Sequence, residues 1–275
     1  MPRSSPPGPR LVVDGVGKSF NGRAAIAEVS FAVDEHEFVA VLGPSGAGKT
    51  TLFRCIAGLL SPESGTVRLA ADDGAAQGER RRVAVIFQQF NLVSRLTALE
   101  NVLAGRLAYV PAWRGVLRRF TRADRLLAFE CLDRVGLLDH AYARADRLSG
   151  GQQQRVAIAR ALAQQPRLIL ADEPVASLDP STADGVMALL RSIAKSEGVA
   201  ILCSLHQVPF ARAYADRIIG LSAGRVVLRA SAADFGEAAY AALYGGATVA
   251  APAKRPDDQP GSIHHGTLNQ ASAQA

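Results

Sequence analysis

Short apolar runs separated by polar, glycine-containing turns make up most of the first third of the chain. Runs that alternate between apolar and polar residues indicate strands with one buried face, and continuous apolar runs indicate strands buried on both faces. The residues at 38–42 are continuously apolar and are followed by a glycine-rich stretch. The pattern predicts strands at 11–13, 27–33, 37–42, 66–69 and 83–87, and a helix at 50–59 that ends before Pro62.

A block of helical periodicity then interrupts the alternation of strands and helices. Residues 98–107 and 122–135 carry apolar side chains three and four positions apart, with Asp and Arg on the other face. Beyond this block the alternation resumes, with helices predicted at 153–164 and 183–195 and strands at 168–171, 199–205, 218–221 and 225–228. We therefore predict an α/β fold in which a helical subdomain, 91–152, is inserted between two parts of one core, 11–90 and 153–246.

Composition agrees with one α/β domain. The chain has 275 residues, and its hydrophobic fraction of 48% is enough for a packed core. No apolar stretch approaches the length of a membrane-spanning helix. Residues 1–10 are rich in Pro, Ser and Arg with no apolar run after them, so we expect a flexible tail and no secretion signal. The loop at 71–79 is polar, and residues 247–275 lack periodicity, so we expect that tail to be disordered.

Charge and cysteine content narrow the function further. The formal net charge is +6, but the basic residues are scattered and are not interleaved with aromatic residues. This arrangement indicates a solvated surface that favours anionic nucleotides or an anionic membrane face, and we expect no nucleic-acid partner. Cys55, Cys131 and Cys203 have neither disulfide nor zinc spacing, so we expect three buried thiols in a reducing compartment.

The glycine-rich stretch between the strand at 38–42 and the following helix fits the phosphate-binding P-loop pattern. Glycines allow backbone N–H groups to turn towards phosphate oxygens, aided by the positive end of the helix. Lys49 is expected to neutralise β- and γ-phosphate charge, and the Thr50 hydroxyl to bind Mg²⁺. A glycine-rich turn without a ligand is the alternative. The predicted nucleotide-binding residues are Gly43, Pro44, Ser45, Gly46, Ala47, Gly48, Lys49, Thr50 and Thr51.

Two acids end a later apolar strand. Asp172 lies where the carboxyl end of a parallel strand would place a Mg²⁺-supporting acid, acting through a bound water. Glu173 follows it and could polarise the attacking water as a general base. An apolar strand that ends in Asp-Glu is common, but beside a P-loop the pair indicates a nucleotide triphosphatase.

A second phosphate-binding helix start follows the inserted helical block. Ser149 is a favourable N-cap, and the glycines after it expose backbone N–H groups. A chain with one nucleotide but two such helix starts is explained by a head-to-tail dimer, in which each Ser149 helix faces the partner's P-loop. The residues of this motif are Leu148, Ser149, Gly150, Gly151 and Gln152.

Together, these motifs resemble those of the ABC family of nucleotide-binding subunits, over about residues 11–245. The resemblance implies a P-loop NTPase core of the RecA-like type, with an N-terminal antiparallel β subdomain and the inserted helical subdomain. It also implies an aromatic contact of Phe20 with adenine and a Q-loop glutamine at Gln88 that senses Mg²⁺ and water, with Gln89 as the weaker alternative. Asp179 corresponds to the acid of the D-loop at the dimer interface, and His206 to the switch histidine on the γ-phosphate.

The resemblance also implies cofactors and partners. ATP and Mg²⁺ are the expected cofactors, and Glu173, His206 and Gln88 the expected catalytic residues. The expected partners are a second copy of the chain, integral membrane permease subunits and, indirectly, a periplasmic substrate-binding protein. In the family, the segment after Gln88 docks the membrane subunit, so the chain is expected on the cytoplasmic face of the bacterial inner membrane as a peripheral subunit.

Soluble ABC proteins are the alternative to a transport role. A DNA-repair ATPase would carry a long coiled coil in place of the short helical block, and a translation factor would usually carry two motif sets. Segments such as 87–93, 101–107 and 171–180 are similar to the ATPase subunits of phosphonate importers. The resemblance therefore implies phosphonate import, with phosphite, phosphate or another oxyanion as the alternative cargo.

Overall fold

A computed structural model describes residues 9–69, 83–111, 113, 115 and 119–245. The predicted loop at 71–79 and the tail at 247–275 lie outside these residues. The strands are β1 (Leu11–Phe20), β2 (Arg23–Val33), β3 (Phe38–Leu42), β4 (Ser64–Leu69), β5 (Val83–Ile86), β6 (Leu168–Asp172), β7 (Ala200–Leu205), β8 (Arg217–Ser222) and β9 (Arg225–Ser231). The helices are α1 (Lys49–Ile56), α2 (Ala98–Ala104), α3 (Arg122–Arg134), α4 (Gly150–Leu162), α5 (Pro180–Glu197), α6 (Val208–Tyr214) and α7 (Glu237–Tyr244).

A six-stranded sheet in the order β5-β6-β7-β3-β8-β9 forms the centre of the described fold. Its strands pair in parallel except β9, which is antiparallel to β8. The continuous apolar run of β3 is explained by its two covered faces. Phe38, Ala40 and Leu42 face one hydrophobic core, and Val39 and Val41 face the other. The prediction of a strand buried on both sides is confirmed.

A second sheet, β2-β1-β4, packs beside the first and is antiparallel throughout. Its apolar side chains share one core with α1 and one face of the central sheet. Helices α2, α3, α4 and α5 contribute to the other core. The predicted fold class, with an antiparallel β subdomain and a helical insertion, is confirmed, whereas the predicted domain boundaries remain predictions.

Several element limits differ from those predicted. Strand β1 extends to Phe20, beyond the apolar run, because the antiparallel pairing with β2 continues through its polar half. Helix α2 ends at Ala104, and a 3₁₀ turn at Leu107–Tyr109 follows it. Helices α6 and α7 were not predicted, because each is too short to show clear periodicity. No helix among the described residues is long and apolar enough to cross a bilayer.

Cys55, Cys131 and Cys203 are free and buried, as predicted. Burial raises the pKa of each thiol, to about 11 for Cys131, so these side chains behave as small apolar groups.

Candidate active site

The glycine-rich loop joins the carboxyl end of β3 to helix α1. Gly46 and Gly48 have φ values of 79° and 101°, in the left-handed region that glycine adopts without strain. A Cβ at Gly48 would also lie 2.4 Å from the carbonyl oxygen of Ala25. Glycine is therefore required at position 48 for both conformation and space, and Lys49 begins the helix directly after it.

Lys49 is a buried cation that bonds to its own loop. Its Nζ donates to the Gly43 carbonyl at 2.7 Å and to the Pro44 carbonyl at 3.3 Å, and the residue is 5% exposed. Burial lowers the pKa of Lys49 below its ordinary value, and the charges of Glu173 and Asp172 oppose this shift. Among the described residues, this buried ammonium group hydrogen-bonds neutral carbonyls, so it gains from a bound anion. The position thus suits a phosphate oxygen.

The carboxyl ends of β6 and β7 bring the two acids together with a serine. Asp172 and Ser204 are paired residues of the parallel ladder. Ser204 Oγ donates to Asp172 Oδ1 at 2.6 Å and accepts from the Glu173 amide at 2.9 Å. Glu173 has a φ of 52°, which is unusual for a residue with a Cβ. Its side chain thereby turns from the strand direction, and Glu173 Oε1 bonds His206 Nε2.

One cleft of about 370 Å³ joins these groups. It is lined by Ala25, Ser45, Gly46, Ala47, Gly48, Lys49, Thr50, Thr51, Glu173 and His206. Three residues that are far apart in the sequence, Lys49, Glu173 and His206, therefore meet on one cavity. The hydroxyl of Thr50 and the carboxylate of Glu173 line it, with Asp172 adjacent in the chain, and such hard oxygen donors fit Mg²⁺.

Phe20 and Gln88 lie outside the cleft lining. Phe20 ends β1 with 48% of its surface exposed, and Lys18 Nζ lies 5.8 Å from its ring centroid. Gln88 is exposed just beyond the end of β5. An exposed aromatic ring can accept a stacked base, but the roles predicted for both residues remain predictions.

The Leu148–Gln152 motif forms the start of α4. Ser149 is the N-cap and accepts from the Gln152 amide at 3.3 Å, while Gln152 Oε1 accepts from the Ser149 amide at 2.9 Å. Leu148 is buried, and Ser149 and Gly150 are exposed. This reciprocal capping box holds the helix start rigidly at the surface. None of these residues lines the cleft of the same chain.

The glycines of this motif pack against the segment around Asp179. A Cβ at Gly151 would lie 2.2 Å from Thr182 Cγ2, and one at Gly150 would lie 3.6 Å from Leu178 Cδ2. Helix α4 therefore starts close against the residues around Asp179. Asp179 is itself the N-cap of α5, where it accepts from the Thr182 amide at 3.0 Å and the Ser181 hydroxyl at 2.8 Å. The side chain of Thr182 contributes most to lowering the pKa of Asp179, to about 2, and the bonds from the Thr182 amide and the Ser181 hydroxyl lower it further.

Ser204 is a site residue that the sequence analysis missed. It lies inside an apolar run and is fully buried, and its hydroxyl bonds to both predicted acidic residues. A hydroxyl within an otherwise apolar strand, two residues before the predicted switch histidine, was the only available signal. Its hydrogen-bond partners are set by the register of β7 against β6, which the sequence pattern does not predict.

Comparisons with known proteins identify the family. The model of the family described as "ABC transporter" matches residues 26–176. The chain belongs to the ABC transporter family. It is 49% identical over 240 residues to the hypophosphite import ATP-binding protein HtxD of Stutzerimonas stutzeri, covering 85% of this chain and 70% of that protein. It is 52% identical over 231 residues to the phosphonates import ATP-binding protein PhnC 3 of Nostoc sp., covering 82% and 88%.

A solved ABC cassette gives the same fold. The dimeric post-hydrolysis structure of the ATP-binding cassette MJ0796 bound to ADP and Pi has a TM-score of 0.69 and 35% identity, covering 82% of this chain and 100% of that chain. The predicted family, fold class and role as a nucleotide-binding ABC transporter ATPase are confirmed.

Proposed function

We propose that this ABC transporter ATPase powers the import of phosphonates or of a closely related phosphorus oxyanion. ATP hydrolysis is supported by one observation: Lys49, Glu173 and His206 line the same cleft, beside the glycine-rich loop. Support for the cargo comes from relatives named as phosphonate and hypophosphite import proteins, at 46–52% identity. Phosphite and phosphate belong to the same chemical class and are the alternative cargoes.

In the proposed mechanism, the glycine-rich loop and Lys49 bind the β- and γ-phosphates. Glu173 accepts a hydrogen bond from the attacking water and orients it in line with the γ-phosphate. His206, which bonds Glu173 in the structure, donates to the γ-phosphate when nucleotide is bound. Thr50 and Gln88, with Asp172 through water, would hold Mg²⁺, and the ion would supply positive charge opposite the phosphates.

A second copy completes the site. Ser149 and Gly151 of one copy would bind the γ-phosphate held by the other copy's glycine-rich loop, because the capped start of α4 presents free N–H groups at the surface. Asp179 would lie at the interface, and Phe20 would stack on adenine. Hydrolysis removes the shared γ-phosphate, so the two copies separate.

The remaining partners are integral membrane permease subunits, and a periplasmic substrate-binding protein that delivers the cargo to them. We propose that residues 90–97 dock the permease at the cytoplasmic face of the bacterial inner membrane. No nucleic-acid partner is proposed.

Transport in proteoliposomes that contain the chain, its permease and its binding protein tests the cargo. Uptake of a radiolabelled alkylphosphonate that depends on ATP inside the vesicle supports the proposal. Equal or faster uptake of hypophosphite, phosphite or phosphate would move the assignment to that oxyanion. Glu173→Gln in the same vesicles is expected to abolish uptake, with the exposed Glu130→Gln as the matched control.

A further inference from the structure

One arginine of α4 holds two carbonyls of the segment that follows Gln88. Arg160 Nη1 donates to Asn91 O at 2.6 Å, and Nη2 donates to Phe90 O at 3.0 Å. A guanidinium presents its donors as a rigid fork, so two adjacent carbonyls fix both the position and the direction of the backbone. Asn91 has a φ of 49°, a conformation that few residues with a Cβ adopt. The fork therefore holds a turn that is costly for the chain to form alone.

Phe90 extends this connection to the other end of α4. A Cβ built at Gly150 would lie 3.8 Å from Phe90 Cζ, so the ring lies beside the first turn of the helix. Gly150 directly follows the N-cap Ser149. The side chain of Phe90 thus packs at the start of α4, while its carbonyl is bound by Arg160 near the end of that helix.

The rest of the segment, up to residue 97, is hydrogen-bonded to α2. Asn101 is 1% exposed; its Oδ1 accepts from the Val93 amide at 2.8 Å, and its Nδ2 donates to the Thr97 carbonyl at 3.0 Å. Helix α2 in turn packs closely on α4, because a Cβ at Gly105 would lie 2.4 Å from the Arg160 carbonyl oxygen. Residues 90–97 are therefore bonded to α2 and α4 together.

The Arg160 guanidinium is hydrogen-bonded to neutral carbonyls, those of Phe90 and Asn91. Burial lowers the pKa of its guanidinium below the ordinary value, and in the described ranges no carboxylate pairs with it. Removing the guanidinium would therefore leave two backbone acceptors without these donors but no unpaired charge. The expected consequence is a displaced segment, with the fold retained.

We propose that Arg160 is a positioning residue that ties the segment carrying Gln88 to the helix carrying Ser149, so that the two move as one body, Gln88 towards the nucleotide of its own chain and Ser149 towards the nucleotide of the partner copy. This inference rests on the proposed roles of Gln88 and Ser149. It implies that the placement of Gln88 depends on Arg160, although the two side chains are on different elements.

A double-mutant cycle on the full-length chain tests the coupling. Steady-state ATP hydrolysis is measured for Arg160→Lys, Gln88→Ala and the double variant, with Mg²⁺ varied. Arg160→Lys keeps the charge but cannot bind both carbonyls as a fork, so we expect kcat to fall about tenfold, with a smaller change in KM for ATP. The Mg²⁺ concentration for half-maximal rate should rise as in Gln88→Ala. The double variant should match the slower single variant.

Arg155→Lys is the matched control, because Arg155 lies on the same helix and donates to a single carbonyl, Val135 O, at 3.1 Å. Its effect on kcat should be independent of Gln88→Ala, so that the two fold-changes multiply when the variants are combined. Thermal unfolding of each variant reports any loss of fold, and Arg160→Met serves as a second variant of similar volume. If the fold-changes in kcat caused by Arg160→Lys and Gln88→Ala multiply in the double variant, or if kcat is unchanged in Arg160→Lys, the inference is overturned while the proposed function stands. A normal kcat in Gln88→Ala would overturn the role proposed for Gln88 and the inference with it.

Discussion

The hydroxyl of Ser204 donates a 2.6 Å hydrogen bond to the carboxylate of Asp172. The same oxygen accepts from the Glu173 amide at 2.9 Å, so one buried side chain orients both acids at the end of β6. A buried hydroxyl with two such partners is costly to remove, because the Asp172 carboxylate loses this donor and the Glu173 amide keeps only its longer bond to the Ser204 carbonyl, at 3.2 Å.

Ser204→Ala is therefore expected to lower kcat about tenfold and the free energy of unfolding by about 1–3 kcal/mol. Steady-state hydrolysis and urea unfolding measure the two effects. Cys203→Ala is the control, because it changes buried volume at the next position without removing a bond to either acid. A normal kcat in Ser204→Ala would show that Ser204 does not orient the acids.

How far the sequence predicts this site depends on which residues carry a local signal. Lys49, Asp172 and His206 are predictable because each belongs to a motif that lies at or directly after a recognisable apolar run. Ser204 gave only a weak signal, since its partners come from the register of β7 against β6. Arg160 gave none, because the carbonyls that it binds lie 69 and 70 positions away in the chain.

Gly151→Ala should destabilise the fold by overpacking. The added methyl group would lie 2.2 Å from Thr182 Cγ2, and an overpacked contact costs about 1–3 kcal/mol, or several degrees in the unfolding midpoint of a chain of this size. Thr182→Ala removes that methyl group while keeping the backbone amide that Asp179 caps.

The double variant Gly151→Ala/Thr182→Ala should accordingly unfold close to the midpoint of Thr182→Ala. Gly236→Ala is the control, since a Cβ there meets nothing within 4 Å. Failure of Thr182→Ala to restore the midpoint would mean that the contact does not explain the glycine.

Ser149→Arg tests the assignment of α4 to the partner's nucleotide. The bulky cation at the exposed N-cap should prevent ATP-induced dimer formation while each single chain still binds nucleotide. Light scattering and fluorescent-nucleotide titration measure the two properties. Loss of the cap itself costs only about 1 kcal/mol, so the variant should remain folded. Ser192→Arg, at an exposed position of α5, is the control, and dimer formation by Ser149→Arg would contradict the assignment.

The capping bonds of Asp179 predict a pH dependence of stability. The folded chain holds the pKa of Asp179 at about 2, below the ordinary 3.8. Because the folded pKa is the lower one, the stabilisation is fully present above about pH 5 and is lost as the pH falls through 3.8 towards 2. Asp179→Asn should remove this contribution.

Urea unfolding of wild type and Asp179→Asn between pH 6 and pH 3 measures the effect. The stability difference between them should be largest at pH 6 and should shrink as the pH falls. A difference that does not change with pH would show that the carboxylate is not held by these bonds.

In the proposed dimer, one copy binds the triphosphate in the Lys49 cleft and a second copy's Ser149 helix completes the site. The most direct test is the molar mass of the Glu173→Gln variant in solution with Mg²⁺ and ATP, measured by light scattering. We expect a stable dimer with ATP, a monomer with ADP, and a monomer with ATP once Ser149→Arg is added. A Glu173→Gln chain that binds ATP but stays monomeric, with or without its permease, would show that a second copy does not complete the site.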